Sequence, residues 1–318
     1  MLSALNSLLR MTLIVCLLLA PGRATRAADP EPTHSAIPYG PHSHQLLDVY
    51  LPEGDGPFPV LLWYGRLWEP GIAVPPVQRM FQSGVACVGV RTRVMNDGLA
   101  DGIHPPVSVC LLDARRALQY VRLHAARWKL DPDRIAVAGS SQGALPALYV
   151  ACAGEKADPA ASDPVERVST RVACAGAHRS QPSIDPRRMQ EWVPGVEWGA
   201  PAFGCAFAES LKRRDEFLPL IEQWSPECLL SKDDPPIYFE NNWGLTRPDG
   251  VGAMDYLAHS PRWALGFQTL ARQRGVTCHV KFPGHPTETF ADIWDFLVRQ
   301  GKSSAEARGK GDRKGAAK

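Results

Sequence analysis

The stretch LDPDRIAVAGSSQGALPALYVA, residues 130–151, places a turn of small residues between two apolar segments. The run IAVA, residues 135–138, predicts a buried strand, and residues 142–153 suit a helix. The turn reads G-x-S-x-G, and its end glycines, Gly139 and Gly143, remove the Cβ atoms that would collide with neighbouring backbone. This context predicts a nucleophile elbow with Ser141 as the nucleophile.

Other short apolar runs predict further strands on both sides of the elbow. They cover residues 46–51, 60–64, 85–90, 171–175, 237–240 and 277–282. Apolar residues at helical spacing predict helices over residues 107–130, 261–274 and 291–300. Strands that alternate with crossover helices form a mostly parallel sheet with helices on both faces, so the predicted fold class is α/β.

We expect one α/β domain over residues 38–300, with a linker over residues 28–37. Residues 176–230 interrupt the alternation with tryptophans, prolines and charged residues, as a cap-like insertion over the sheet would. Residues 301–318 lack large apolar side chains and predict a disordered basic tail.

Residues 1–27 have the features of a signal peptide. Arg10 precedes the apolar run 11–20, and small residues follow near Ala27. This order predicts an exported protein, either periplasmic or secreted. The run is too short to span a bilayer, so no stable membrane insertion is expected.

The charge distribution argues against a nucleic-acid partner. The chain has 35 basic and 33 acidic residues, a net charge of +2. Residues 1–27 hold three of the bases and no acid, and residues 301–318 hold six bases and two acids. The remaining chain therefore carries 26 bases and 31 acids, a net charge of −5, whereas a nucleic-acid-binding body would present a basic face.

The cysteines predict neither a metal site nor a disulfide framework. Seven of them follow the predicted signal peptide, an odd number for an oxidising compartment. Five lie in apolar runs, where a thiol packs as a small hydrophobic side chain. Cys205 and Cys228 lie in an irregular stretch, which leaves a disulfide between them open. No pair has the spacing of zinc ligands.

A nucleophilic serine needs an imidazole to take its proton and a carboxylate to orient that imidazole, in the chain order Ser, Asp or Glu, His. After Ser141, His285 follows the predicted last strand in the loop FPGHPTE and is the predicted base. The loop after residues 237–240 supplies two acids. We favour Asp255, shortly before the next helix, and Asp249, nearer the strand end, remains the alternative.

Five stretches resemble the α/β-hydrolase superfamily in order and spacing. They are YGPHSHQLLDVYLP (39–52), PVLLWYGRLWEPG (59–71), LDPDRIAVAGSSQGALPALYVA (130–151), DDPPIYFEN (233–241) and RGVTCHVKFPGH (274–285). The nearest branch resembles secreted esterases related to acetylxylan and feruloyl esterases, and the catalytic domain of prolyl oligopeptidases. The resemblance covers about residues 38–300.

One segment departs from that family. Relatives usually carry His-Gly-Gly-Gly-Trp after the strand, where backbone N–H groups help to form the oxyanion hole. This sequence has Tyr64-Gly65-Arg66-Leu67-Trp68. Because the donors belong to the backbone, the changed side chains need not abolish the hole, but the lost glycines restrict the backbone. The resemblance implies a hole formed by Gly65, Arg66 and Gln142.

The predicted function is hydrolysis of a small-molecule or oligosaccharide ester by two-step acyl transfer, without metal or cofactor. Tyr64, Trp68 and Trp243 are expected near the substrate, where aromatic faces suit sugar rings. The preference for acyl groups on carbohydrate depends mainly on the resemblance.

Two other readings remain. A prolyl oligopeptidase-type peptidase would share the three catalytic groups, but the segment before Leu46 is too short for a propeller domain. A catalytically silent binding protein is suggested by the altered segment 64–67, because a fold does not guarantee a function. The oligomeric state is left open.

Overall fold

The predicted strands form one eight-stranded sheet in the computed structural model, which describes residues 30–197, 202–287 and 289–301. The strands are β1 (His34–Pro38), β2 (Leu46–Tyr50), β3 (Phe58–Tyr64), β4 (Ala86–Arg91), β5 (Leu130–Ser140), β6 (Cys174–His178), β7 (Ile237–Glu240) and β8 (Cys278–Lys281). Their spatial order is β1-β2-β4-β3-β5-β6-β7-β8. β2 is antiparallel to both β1 and β4, and every later pairing is parallel.

Helices cover both faces of this sheet. They are α1 (Val77–Gln82), α2 (Met95–Ala100), α3 (Val107–Leu123), α4 (Ala144–Cys152), α5 (Pro186–Trp192), α6 (Phe207–Lys212), α7 (Arg214–Trp224), α8 (Pro226–Leu229), α9 (Ala253–Ala258) and α10 (Arg262–Gln273). Residues 293–301 are also helical. None of the helices in the described ranges is long and apolar enough to cross a membrane.

Side chains alternate along β3, so the two faces of the sheet pack into two separate hydrophobic cores. All seven residues of β3 are buried. Val60, Leu62 and Tyr64 pack on one face with α3 and α4, whereas Leu61 and Trp63 pack on the other with α1 and the final helical stretch. Burial on both faces explains why this strand reads as a continuous apolar run. The prediction of a mostly parallel α/β sheet is confirmed.

Some of the predicted boundaries fall elsewhere. β1 begins at His34, inside the segment predicted as a linker, and pairs with β2. β6 occupies residues 174–178, so it takes up the first residues of the predicted insertion. The predicted signal peptide, residues 1–27, and the predicted tail after Gly301 lie outside the described residues. Cys205 and Cys228 are both free thiols, so the disulfide that the sequence left open is not formed.

A buried carboxyl group lies in the part of the chain that connects β6 to β7. Glu227 of α8 is 4% exposed and accepts hydrogen bonds from the hydroxyls of Ser183 and Ser225. Ser225 Oγ in turn accepts a hydrogen bond of 2.9 Å from the Ile184 N–H. Burial raises the pKa of Glu227 from its ordinary 4.5 to about 7, because the low-dielectric interior disfavours the carboxylate, although both serine hydrogen bonds lower it.

This raised pKa predicts a pH-dependent stability. Between pH 4.5 and 7 the folded protein holds a proton on Glu227 that the unfolded chain releases, so stability falls as the pH rises through this window. The slope from one proton is at most about 1.4 kcal/mol per pH unit. We expect Glu227→Gln, which keeps the shape without the titration, to lose this slope. Urea unfolding of both proteins at pH 5 and pH 8 measures it, and equal slopes would contradict the assignment.

Candidate active site

The elbow between β5 and α4 holds Ser141 in a strained conformation. The Ser141 φ angle is +53°, in the left-handed region that costs a non-glycine residue energy. A Cβ atom on Gly139 would lie 2.1 Å from the carbonyl oxygen of Gly143, and one on Gly143 would lie 2.1 Å from the carbonyl oxygen of Tyr64. Both glycines are therefore required by close backbone contacts, as G-x-S-x-G predicts.

The imidazole beside this serine belongs to His259. Ser141 Oγ lies 2.9 Å from His259 Nε2. His259 follows the last residue of α9, and its position is fixed by two side chains that bind the backbone there. Asn241 Nδ2 donates to the His259 carbonyl at 2.6 Å, and Gln181 Nε2 donates to the Ala258 carbonyl at 2.7 Å.

The carboxylate beside His259 is Asp255, one helical turn earlier. Asp255 Oδ1 lies 2.8 Å from His259 Nδ1, and the Asp255 carbonyl oxygen lies 3.0 Å from the same nitrogen. Two acceptors at Nδ1 favour the tautomer with a proton there and a lone pair at Nε2, toward Ser141. The Asp255 side chain is 55% exposed, whereas that of His259 is 19% exposed.

The structure brings His259, and not His285, to Ser141. His285 lies in the loop after β8, as expected, but this loop turns back on itself: Phe282 and His285 exchange backbone hydrogen bonds of 3.2 and 2.8 Å. The exposed His285 ring stacks on Phe282 with its centroid at 4.8 Å, and makes no hydrogen bond to Ser141 in the described residues. The choice of His285 as the neighbour of Ser141 is therefore corrected.

The sequence contains a pattern that indicates His259. Asp255-x-x-x-His259 has the i, i+4 spacing that puts two side chains on one face of a helix. Asp249, the alternative acid, lies in the loop before α9 and makes no hydrogen bond or ion pair with His259 in the part of the chain that the structure describes.

The segment after β3 offers fewer oxyanion donors than expected. The Gly65 N–H donates to the Val90 carbonyl at 3.0 Å, and so it is used within the fold. The Leu67 N–H donates to Gln142 Oε1 at 3.0 Å, which ties this segment to the elbow. The Arg66 N–H makes no hydrogen bond in the described residues, and its side chain pairs with Glu69 in solvent. The structure removes Gly65 from the expected donors and leaves Arg66 and Gln142.

The three aromatic side chains expected at the substrate have different surroundings. Tyr64 is 1% exposed and its hydroxyl donates to the Ala114 carbonyl at 3.0 Å, so it is a core residue and the expectation that it contacts substrate is wrong. Trp68 is partly buried against the main core. Trp243 is the one beside His259, with ring centroids 6.1 Å apart.

Arg179 covers one face of Trp243. Its guanidinium carbon lies 4.0 Å from the ring centroid, and Nη2 lies 3.9 Å from Asp255 Oδ1. Arg179 follows β6 with a φ angle of +48°, a second strained residue at this edge of the sheet. For a sugar ring to stack on that face of Trp243, it has to displace the guanidinium group.

A second chain of hydrogen-bonded side chains, which the sequence analysis did not predict, lies beside that of Ser141, His259 and Asp255. Ser140 and His178 are paired residues at the ends of β5 and β6. Ser140 Oγ lies 3.1 Å from His178 Nδ1, and His178 Nε2 lies 2.8 Å from Asn242 Oδ1. A neutral His178 accepts at one nitrogen and donates at the other, which suits this chain of hydrogen bonds. It links the elbow to the loop after β7, which leads to α9 and His259.

Comparison with known proteins gives a family match over part of the chain. The family model BD-FAE matches residues 47–182. No curated protein sequence matches the chain.

Three solved structures are similar in fold. A truncated form of a carbohydrate esterase from gut microbiota has a TM-score of 0.60 and 18% identity, covering 87% of this chain and 99% of that one. An acetyl ester-xyloside bifunctional hydrolase from Caldicellulosiruptor lactoaceticus has a TM-score of 0.59 and 20% identity, with coverage of 86% and 97%. Thermogutta terrifontis esterase 2, phosphonylated by sarin, has a TM-score of 0.55 and 19% identity, with coverage of 80% and 84%. At these identities the likeness establishes a shared fold.

Proposed function

We propose that the chain, which shares the fold of known esterases and matches the family model BD-FAE over residues 47–182, hydrolyses carboxylic esters through Ser141, His259 and Asp255. The observation that carries this proposal is the 2.9 Å contact of Ser141 Oγ with His259 Nε2, on a serine held at φ +53°. A strained hydroxyl beside an oriented imidazole is the arrangement that nucleophilic catalysis requires.

The geometry supports acyl transfer in two steps. In the first, the Ser141 hydroxyl attacks the ester carbonyl while His259 Nε2 takes its proton and then returns it to the leaving alcohol. In the second, water attacks the acyl-enzyme with the same imidazole as base, and the acid is released. Asp255 holds Nδ1–H through both its carboxylate and its carbonyl oxygen, so the tautomer persists when the exposed carboxylate turns toward solvent.

The negative charge of the tetrahedral intermediate needs donors near Ser141. The Arg66 N–H and the Gln142 N–H are the proposed pair, since the Gly65 N–H already binds Val90. The hydrogen bond from the Leu67 N–H to Gln142 Oε1 holds the segment after β3 against the elbow.

Carbohydrate esters are the proposed substrate class. Two of the similar structures are a carbohydrate esterase and an acetyl ester-xyloside hydrolase by name, which supports the proposal. The loop with Trp243 supplies an aromatic ring beside His259, and its neighbour Arg179 supplies a positive charge. We also propose that the protein is exported, on the pattern of residues 1–27.

Labelling with a fluorophosphonate tests the proposed function. The reagent phosphonylates an activated serine, so we expect one adduct on Ser141 by peptide mass spectrometry, no adduct in Ser141→Ala, and an unchanged adduct in the neighbouring control Ser140→Ala. Hydrolysis of p-nitrophenyl acetate but not of a proline peptide amide then separates an esterase from a prolyl oligopeptidase-type peptidase. An unlabelled Ser141 in the folded protein would instead assign the chain as a silent binding scaffold. Rates of hydrolysis of acetylated and of feruloylated oligosaccharides then show which acyl group is preferred.

A further inference from the structure

A cluster of metal-ligating side chains lies on the opposite side of β4 from the elbow strand. His42 and His44 belong to the turn between β1 and β2, and Asp97 belongs to α2. One ligand atom from each of the three lies within 4.8 Å of the others. His44 Nδ1 is 2.8 Å from Asp97 Oδ2, and the two imidazole rings meet edge to face with centroids 5.0 Å apart.

The turn that carries the two histidines is fixed from inside the protein. The His42 N–H donates to Gln45 Oε1 at 3.0 Å, and Gln45 Nε2 donates to the buried Asp113 at 2.7 Å. Arg91 donates to the carbonyls of Ser43 and His44, at 2.7 and 3.2 Å. Supports of this kind hold ligands in place before a metal binds and so reduce the entropic cost of binding.

Asp97 is fixed in the same way and is ionised at neutral pH. Its Oδ2 accepts a hydrogen bond of 2.8 Å from the Val94 N–H at the start of α2. Burial by itself would raise the pKa of Asp97, but the Val94 N–H and His44 lower it overall. The carboxylate of Asp97 and the imidazole of His44 are thus already in contact, at 2.8 Å.

We propose that His42, His44 and Asp97 form a binding site for one Zn²⁺-class divalent cation. Two imidazole nitrogens and a carboxylate oxygen are ligands that suit Zn²⁺, and a water would complete the tetrahedron. In tetrahedral coordination the ligand atoms lie about 3.3 Å apart, as follows from metal–ligand distances of about 2.0 Å. His44 Nδ1 and Asp97 Oδ2 are closer together than this, at 2.8 Å. The three ligand atoms lie within 4.8 Å of one another, so side-chain rotations would bring them to the tetrahedral spacing.

Neighbouring charges set the expected affinity. Arg91 lies against the turn, and Arg93 lies nearby but is neutralised by its paired contacts with Asp113, the closest at 2.7 Å. Arg91 makes no ion pair within the described residues, so its charge opposes a cation. The backbone N–H of His44 also donates to His42 Nδ1, at 3.1 Å. We therefore expect binding weaker than at a structural zinc site, roughly in the micromolar range.

The site would join two parts of the fold and act on stability. It links the β1–β2 turn to α2, and the Met95 N–H of α2 donates to the Leu67 carbonyl at 2.9 Å. A ligand that binds only the folded state stabilises it by mass action. A cation here therefore raises the unfolding temperature and does not take part in acyl transfer.

Calorimetric titration of the chelator-treated full chain with ZnCl₂ tests this proposal. We expect one site, a rise in unfolding temperature with ZnCl₂, and, with Co²⁺ as probe, visible absorption typical of tetrahedral coordination. His42→Gln, His44→Gln and Asp97→Asn should each weaken binding at least ~10-fold. The control His34→Gln changes an exposed histidine of β1 outside the cluster and should leave binding unchanged.

Two results would overturn the proposal: no saturable heat at millimolar ZnCl₂, or an affinity that none of the three cluster variants changes. Asp97→Asn keeps an oxygen for the Val94 N–H, and His42→Gln leaves the His44–Asp97 pair intact, so at least one variant tests binding without loss of the α2 cap. Because Ser141→Ala should bind Zn²⁺ as the parent does, the result is independent of the proposed esterase activity.

Discussion

His259→Ala is expected to lower kcat/KM for p-nitrophenyl acetate by about 10³-fold or more, whereas His285→Ala should stay within about threefold of the parent. The reason is position: His259 Nε2 lies 2.9 Å from Ser141 Oγ, while the exposed His285 ring stacks on Phe282. General base catalysis depends on hydrogen-bond reach of the proton that is removed. Initial rates at saturating and limiting ester separate kcat from KM for both variants.

The control for this comparison is Ser141→Ala. Groups that act as one unit give non-additive losses, so Ser141→Ala, His259→Ala and their double variant should have similar residual rates. Circular dichroism and unfolding temperature confirm that each variant is folded. A loss in His285→Ala as large as that in His259→Ala would show that the loop after β8 reaches the elbow during turnover, and the assignment of the base would revert to His285.

The difference between the two histidines shows where sequence reasoning reached its limit. The position of a strand and the loop after it follow from apolar runs and turn residues, and β8 lies at residues 278–281 within the predicted 277–282. The direction of a loop depends on hydrogen bonds that such patterns do not encode. Here the short turn between Phe282 and His285 folds the imidazole onto a neighbouring ring. The sequence predicts the acid Asp255 from its position before the helix predicted over residues 261–274, whereas the structure has a further short helix, α9, that contains Asp255 and ends directly before His259.

The orientation of Tyr64, unlike the direction of the His285 loop, could have been predicted from the sequence. Side chains of a strand alternate between faces, so Tyr64 shares a face with Val60 and Leu62, both apolar. The structure has all three in the core beside α3. The loop residue Arg66 has no such periodicity, and its segment is tied to the elbow by the hydrogen bond from the Leu67 N–H to Gln142 Oε1, which apolar patterns do not encode.

Gly143→Ala is expected to destabilise the fold by about 3 kcal/mol or more and to abolish ester hydrolysis in the protein that still folds. Gly143 has φ −71° and ψ −13°, helical values at which alanine normally stabilises by up to about 1 kcal/mol. The opposite sign is expected here because the added Cβ lies 2.1 Å from the Tyr64 carbonyl oxygen and 2.9 Å from that of Gly65. Both contacts are with backbone of a central strand end, which cannot rotate away as a side chain can.

The clash is also expected to reduce ester hydrolysis. If it displaces Tyr64 and Gly65, it also displaces the Arg66 N–H, which is a proposed oxyanion donor. Gly71→Ala is the matched control, because no atom lies within 4 Å of its added Cβ. Urea unfolding and p-nitrophenyl acetate hydrolysis measure the two effects separately. If Gly143→Ala were as stable as Gly71→Ala but inactive, the segment after β3 would have moved to relieve the clash without loss of stability, and the predicted destabilisation would be wrong. If it kept both, the close approach of β3 to the elbow would not be a requirement of the fold.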